Sequence, residues 1–297
     1  MEEHGTEEER KKALILIAEQ LQVANFLDGE RIGFPNEGDV FKGLLADVER
    51  SDDPNTHALF MIAEQLQAKN IIEGDIRGYR IPDNGVVRGS FQTEFKPNDE
   101  SLEPKVRVLH MIGEQLQTAN FMEGNKQRFN NNGNVAKGLT ASINLDGNAL
   151  DPETRVLVSI AEQLQAKNVI EGDIRGYRSY NDNIAWKAIK SDVGADENVL
   201  DPNLKGLISI AEQLQTANFM EGDKQRFGNK GNVVKGLTAK IEIQDNVQDA
   251  AVPLLGSIAR QLQARNLMES RVRGYNCDRS AVWEALKEDI EQKGKAK

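Results

Sequence analysis

The sequence has little of the residue types on which many enzymes and secreted proteins depend. It contains one cysteine and three histidines in 297 residues, and aromatic residues make up only 5% of the chain. A single Cys277 cannot close an intramolecular disulfide, and His4, His57 and His110 are too scattered to form a metal site or a catalytic triad. Neither a Gly-x-Gly-x-x-Gly motif nor a Gly-Lys-Ser/Thr phosphate loop is present. These absences weigh against a disulfide scaffold, a zinc enzyme and a nucleotide-dependent enzyme.

Basic residues are also in the minority, with 37 Lys and Arg against 47 Asp and Glu and a formal net charge of −10. General nucleic-acid binding is therefore not expected, because it requires clustered Lys and Arg to meet the phosphates. The longest clean apolar run, residues 13–18, is far shorter than the roughly 20 residues that cross a bilayer. Residues 1–10 are acidic, whereas a signal peptide begins with basic residues. We expect a cytoplasmic protein with no membrane contact.

What the sequence does contain is a sixfold internal repeat. The motif Ile-Ala-Glu-Gln-Leu-Gln recurs with small changes, and an Asn and then an aromatic residue follow it at constant offsets. The copies alternate, because odd units continue as Lys-Gln-Arg-Phe and even units as Ile-Arg-Gly-Tyr. The period is therefore a pair of units, present three times, and such periods are typical of solenoids or closed rings. The six motifs begin at Ile17, Ile62, Ile112, Ile160, Ile210 and Ile258.

Each unit has the pattern of a helix pair. Asp151 followed by Pro152 is a helix start, and apolar residues at i, i+3, i+4 and i+7 then mark one helical face. Asn168 is expected to end this first helix as a left-handed capping residue. A loop and a second capping residue, such as Asn232, precede an apolar series that steps by four. This series favours a short second helix, although the alternation near its end leaves a strand as the competing interpretation.

The fold class that follows is all-α. We expect six helix-pair repeats of about 48 residues, in three double repeats, that form an α-solenoid, with a closed α/α toroid as the alternative. A charged lead-in at 1–12, one repeat domain at 13–290 and a charged tail at 291–297 make up the chain. The units are expected at approximately 7–51, 52–98, 99–148, 149–196, 197–245 and 246–290.

The repeated glutamines lie on the two flanks of the apolar stripe, where neighbouring units would touch. The simpler interpretation is structural, with amides that hydrogen-bond along the stack and set its register. The alternative is a ladder of amides that binds a long ligand. The residues concerned are Gln65, Gln163, Gln165, Gln213 and Gln261.

The loop after the first helix places an arginine beside an aromatic ring in five of the units. Such pairs bind phosphates, carboxylates or stacked bases. The alternative is that the ring anchors the loop while the arginine meets nearby glutamates or helix-end carbonyls. The candidate ligand- or partner-binding residues are Arg77, Tyr79, Arg128, Phe129, Arg175, Tyr177, Arg226, Phe227, Arg273 and Tyr275.

The sequence therefore favours a non-enzymatic repeat protein that serves as a binding or scaffolding surface for a protein or an elongated anionic ligand. The alternative is a carboxylate-dependent, glycan-active enzyme on an α/α toroid. Binding of single-stranded nucleic acid through the Arg-aromatic loops is a third hypothesis. We expect no catalytic residue, no metal site and no cofactor, and enzymatic activity stays open.

Overall fold

The computed structural model is all-helical over the residues that it describes, as the repeat pattern predicts. Within these residues there are thirteen helices and no strand. None of the described helices has both the length and the apolar character that crossing a bilayer requires. The described residues are 2–29, 37–79, 85–126, 131–143, 145, 150–177, 182–193, 201–224, 230–241, 249, 251–275, 278 and 280–294.

Long and short helices alternate along the chain. Every long helix spans at least 22 residues, and no short helix exceeds nine. The long helices are α1 (Glu2–Gly29), α3 (Pro54–Ile76), α5 (Pro104–Lys126), α7 (Pro152–Ile174), α9 (Pro202–Lys224) and α11 (Ala251–Val272). The short helices are α2 (Glu37–Leu44), α4 (Val86–Gln92), α6 (Asn132–Leu139), α8 (Asp182–Lys190), α10 (Lys230–Leu237), α12 (Ser280–Leu286) and α13 (Ile290–Lys293).

The Asp-Pro pairs start long helices as predicted. The carboxylate of Asp53 accepts a hydrogen bond from the Thr56 N–H at 2.8 Å, and that of Asp151 accepts one from the Thr154 N–H at 2.9 Å. Each proline occupies the first helical position, where its missing N–H is not needed. The charged lead-in is helical from Glu2 and continues into α1 without a break.

The predicted end of the first helix is wrong. Asn168 lies inside α7, which continues for almost two more turns to Ile174. The left-handed residue that follows the helix is Gly176, with φ of +82°, and the Tyr177 N–H returns to the Gly172 carbonyl at 2.8 Å. A glycine takes this backbone conformation without the strain that a Cβ would cause. Asn168 is buried in mid-helix because its side chain has a partner on another helix.

The second segment of each unit is helical where the structure describes it, so the strand interpretation is wrong. Each of α2, α4, α6, α8 and α10 packs against the long helix of its own unit and more lightly against the next long helix in the chain. α12 packs in the same way on α11 and on α1. The last unit is thus followed in space by the first.

The long helices contact one another in a closed cycle. Each of α1, α3, α5, α7 and α9 packs against the next, and α11 packs against α1. The open solenoid that the sequence favours is not supported, because its two end helices would not touch. We call the cyclic arrangement of the six long helices the ring. One apolar cluster receives buried residues from all six of them, among them Leu14, Ile62, Leu109, Ile160, Ile210 and Leu254.

Odd and even units differ in how a long helix meets its short helix. In odd units the short helix presents a glycine to a larger residue, and a Cβ on Gly138 would lie 1.8 Å from Thr118 Oγ1. Even units have alanine on the long helix and Ser90, Ala188 or Ala285 on the short helix. Odd units thus have the larger residue on the long helix and the smaller on the short helix, whereas even units have, compared with odd units, a smaller residue on the long helix and a larger one on the short helix. The total side-chain volume at the contact is therefore similar in both kinds of unit. The odd-unit pairs are Val23 with Gly43, Thr118 with Gly138 and Thr216 with Gly236.

Candidate functional site

The repeated asparagine and the first glutamine of each motif join neighbouring long helices. Each asparagine donates its Nδ2 hydrogens to both the backbone carbonyl and the Oε1 of a glutamine in the preceding unit, over 2.7 to 3.0 Å. Both side chains are buried, so the bonds are shielded from water. The pairs are Asn25–Gln261, Asn70–Gln20, Asn120–Gln65, Asn168–Gln115, Asn218–Gln163 and Asn266–Gln213.

The glutamines also attach the short helices. The first glutamine of each motif donates to a carbonyl on its own short helix, as Gln163 does to Ala188 at 2.7 Å. The second donates to the end of the preceding short helix, as Gln165 does to Ala141 at 2.6 Å. Gln65, Gln213 and Gln261 make the first kind of bond, to Ser90, Gly236 and Ala285. These buried contacts favour the structural interpretation, since an amide ladder for a ligand would need exposed side chains.

The three loop arginines that the structure describes lie at the ends of the long helices of even units, α3, α7 and α11, and each reaches back to the long helix of the preceding odd unit. Arg77 donates to the Leu27 carbonyl and pairs with Asp28 at 2.5 Å. Arg175 donates to the Met122 carbonyl at 3.2 Å and pairs with Glu123 and Glu171. Arg273 does the same with the Met220 carbonyl, Glu221 and Glu269. The guanidinium groups are therefore largely occupied by the protein itself.

The loop tyrosines are half-buried and pack on the apolar clusters beside the helix ends. Tyr79 meets the Phe41 ring edge-on with a centroid separation of 5.5 Å, and Tyr177 and Tyr275 pack on equivalent clusters. This placement fits a loop anchor. The other four predicted residues, Arg128, Phe129, Arg226 and Phe227, lie outside the described residues.

The inner face of the ring carries three layers of identical or similar residues that sequence reasoning missed. Six leucines, one from each long helix, line a single cavity of about 300 Å³ at the N-terminal end of the ring. Two turns further along each helix, a spacing of seven residues keeps the next layer on the same face. The layers are Leu14, Leu59, Leu109, Leu157, Leu207 and Leu255; then Leu21, Leu66, Leu116, Leu164, Leu214 and Leu262; then Asp28, Glu73, Glu123, Glu171, Glu221 and Glu269.

An ion-pair group stands at the mouth of the leucine-lined cavity. The carboxylate of Glu153 lies 2.8 Å from the Lys105 ammonium and 4.0 Å from the Arg10 guanidinium. Arg10 and Glu153 belong to α1 and α7, which are opposite each other in the cyclic order of helices. The contact between Arg10 and Glu153 therefore spans the mouth of the cavity, and Glu153 is the partner of both Arg10 and Lys105.

The acidic layer at the other end of the ring is matched by cations. Lys69, Lys167 and Arg265 stand four residues before a carboxylate of that layer, and Arg265 lies 4.0 Å from Glu73. Burial, with repulsion from Arg265 and Lys167, lowers the pKa of Lys69 to about 8. Although burial opposes ionisation of Glu269, Arg273 and Lys167 lower its pKa to about 2. Together with the three described loop arginines, six cations among the described residues stand near the six carboxylates of the layer.

This electrostatic arrangement bears on catalysis. A glycan-active enzyme needs one carboxyl group that stays protonated near neutral pH and can donate its proton. Burial opposes ionisation of Glu171, but Lys167 and Arg175 shift its pKa below the ordinary value, as occurs at Glu269. Ion-paired carboxylates of this kind serve structure better than proton donation. Among the described residues, no three His, Cys, Asp or Glu side chains are grouped so that they could hold a metal ion.

Open grooves occur on the outside of the ring, where two successive short helices lie over one long helix. The groove between α4 and α6 has a volume of about 210 Å³ and includes Glu114, whose carboxylate lies 3.7 Å from Lys137. Burial raises the pKa of Glu114, and Lys137 opposes this shift. The groove between α12 and α2 is larger, at about 760 Å³. Because it lies where the last unit meets the first, we call it the seam groove.

The seam groove combines apolar and acidic side chains. Phe26, Leu286 and Ile290 line it from three different helices but are themselves largely buried, and Trp283 stands at the side with 47% of its surface exposed. The Lys287 ammonium lies 5.6 Å from the centre of the Trp283 ring. The carboxylates that line the groove are Glu19, Asp39, Glu288, Asp289 and Glu291.

Two features could have been found from the sequence. Alignment of the six copies by their Glu-Gln-Leu-Gln motif brings the leucine and acidic layers into register at fixed offsets. The seam groove could not be found in this way, because it exists only when the last unit packs on the first. No family model matches this chain, and comparison with curated proteins and with solved structures finds no relative.

Proposed function

We propose that this chain is a non-enzymatic scaffold, a closed α/α toroid of six helix pairs whose outer grooves bind a protein partner. The observation that carries the proposal is the closed set of Asn-Gln hydrogen bonds, which pairs the repeated Asn and Gln side chains with one another between neighbouring long helices. These residues therefore hold the helices together and are not available to a ligand. The open concave surfaces that recur on the outside are the grooves between short helices.

A protein partner is favoured over an elongated anion because of where the positive charge is placed. Arg77, Arg175 and Arg273 each meet a carboxylate and a backbone carbonyl, which satisfies the donors that an anion would need. The same contacts weaken the proposal of single-stranded nucleic-acid binding, since stacking on an arginine plane requires an accessible guanidinium. The net charge of −10 acts in the same direction.

The enzyme alternative gains a central cavity from the closed ring, but the glutamates Glu19 and Glu114, whose pKa burial raises, line the outer grooves and not that cavity. The carboxylates of Glu171 and Glu269 are held ionised by neighbouring cations. Glu153 at the cavity mouth is paired with Lys105. General acid catalysis therefore has less support than binding.

The proposal is tested by site-specific photo-cross-linking of the full chain in an extract of its own source. A benzoylphenylalanine replaces Leu45 or Val234, which are exposed on the outer surface, in two separate variants. Matched controls carry it at Arg10, beside the cavity mouth, or at Ile174, at the end of a long helix. We expect one protein of defined mass at an outer position, and excess unmodified chain should compete with the cross-link.

Two results would contradict the scaffold. One is a cross-link that forms equally at all four positions, which indicates random collision. The other is no cross-linked protein together with a co-purifying sugar or metabolite in native mass spectrometry, which would return the enzyme alternative to first place.

A further inference from the structure

The seam groove differs in size and in charge from the groove between α4 and α6. Its volume is about 760 Å³, against about 210 Å³ for the groove between α4 and α6. α13 has no counterpart among the other described units, and it contributes Ile290 and Glu291 to the seam groove. Within the part of the chain that the structure describes, the groove thus includes an element, α13, that units one and two do not repeat.

Its shape suits a helical segment. α1 forms the floor, and α2 and α12 form the two sides. α2 has eight residues, so at 1.5 Å per residue the side is about 12 Å long. Two or three turns of a helix fit such a groove, with their apolar face toward the floor.

The apolar surface includes a residue of the kind that dominates binding energy. Trp283 is 47% exposed, and tryptophan is enriched among the residues that contribute most at protein interfaces. At the same position in the repeat, unit five has Val234 and unit four has Trp186. Trp186 thus provides a matched control outside the seam.

The charges in the groove favour a basic partner. Five carboxylates line it, against the two lysines Lys42 and Lys287, and one of the five, Glu288, is already paired with the Arg260 guanidinium at 2.5 Å. Lys42 is engaged by Glu291 at 3.2 Å, and Lys287 lies over the Trp283 ring. Burial raises the pKa of Glu19; Lys42 opposes this shift, while Glu291 and Asp289 add to it. Positive charge from outside would relieve this excess of carboxylates.

We infer that the seam groove is the docking site for a basic amphipathic helix of a partner protein, with an apolar residue against Trp283 and Lys or Arg beside Glu19 and Glu291. The inference rests on the proposed function and names the partner's chemistry. An acidic segment is disfavoured by like-charge repulsion, and a segment with no apolar face would leave Trp283 uncovered.

The test uses a random library of 16-residue peptides displayed on phage and the full chain as target. Peptides that the wild type retains after repeated rounds, the survivors, are synthesised without any counter-selection and measured by fluorescence anisotropy in 150 mM salt. We expect survivors with Lys or Arg on one helical face and apolar residues at i, i+3 or i+4. Their affinity should fall at least tenfold in Trp283→Ala and change less than twofold in Trp186→Ala.

A second variant guards against misfolding of the first. Glu291 is exposed and its ion pair with Lys42 lies at the surface, so Glu291→Lys should lower the melting temperature only slightly and still weaken the same peptides at least tenfold. The inference is overturned by acidic survivors, by survivors indifferent to Trp283, or by an empty selection. Leu45 stands next to Ala46, which lines the seam groove, whereas Val234 belongs to α10. A cross-link at Val234 but not at Leu45 would therefore overturn the inference, while leaving the scaffold proposal intact. Loss of cross-links at both positions would contradict the scaffold itself.

Discussion

Asn25 and Gln261 lie 236 positions apart in the chain, and the Asn25 amide donates hydrogen bonds to the Gln261 carbonyl at 2.9 Å and to its Oε1 at 2.8 Å. Asn168 makes the same two bonds to Gln115 within the middle of the chain. The contact between the last and first units therefore repeats the contact between consecutive units. This equivalence is the strongest sign that the six units close on themselves.

Closure predicts that Asn25→Ala is as destabilising as Asn168→Ala. Each substitution leaves a buried glutamine oxygen without its donor, which costs about 1–3 kcal/mol of unfolding free energy. Urea denaturation of the two variants measures both losses, with the exposed Gln92→Ala as the control. An open array would make Asn25→Ala nearly neutral while Asn168→Ala stayed costly.

The size exchange between odd and even units predicts a rescue. Gly138→Ala alone should lower the unfolding free energy by about 1–3 kcal/mol, because its Cβ would overlap Thr118 Oγ1 at 1.8 Å. Thr118→Ala combined with Gly138→Ala reproduces the Ala166 and Ala188 pair of unit four and should recover most of the loss. A double-mutant cycle by thermal or urea unfolding checks this. Purely additive losses would show that the two residues do not pack against each other.

The lowered pKa of Lys69 predicts a pH-dependent effect of Lys69→Met. Since the folded pKa is about 8 and the unfolded one is near 10.5, the folded state disfavours the charged lysine below pH 8. Wild-type stability should therefore gain relative to the variant as pH rises from 8 to 10. Urea unfolding at pH 7 and pH 9.5 measures the difference, with Lys187→Met as an exposed control. A difference independent of pH would contradict the burial of a charged Lys69.

Removal of an arginine bridge should have a pH dependence of its own, in the acid range. Arg175→Ala leaves Glu123 and Glu171 without their shared cation and should cost about 3–5 kcal/mol at pH 7. Burial opposes the ionisation of Glu171, yet Lys167 and Arg175 lower its pKa, so the stabilisation is present above pH 4.5 and disappears as pH falls through the lowered folded value. Unfolding at pH 7 and pH 3, with the exposed Arg155→Ala as control, measures this. An equal loss at both pH values would show that Arg175 acts through packing.

The sequence predicts local structure better than it predicts closure. Asp151 and Pro152 start a helix because capping depends on residues next to each other, and the apolar periods identify the buried faces. The sequence pattern wrongly predicts a helix end at Asn168, because the partner of this side chain, Gln115, lies on another helix and no local pattern reveals it. The contact between α1 and α11 is likewise not predicted by any local pattern. The seam groove depends on that contact, so the sequence does not predict the groove either.

The arginine bridges also determine which piece of the chain is interchangeable. Arg77, Arg175 and Arg273 join the two units of one pair, and no described arginine bridge of this kind joins one pair to the next. Loss of a single unit would bring two even or two odd units together, with mismatched charges at their contact. The smallest piece that can be duplicated, deleted or exchanged without such a mismatch is a pair. Among the described residues, the arginine bridges thus join the units two by two, in three pairs.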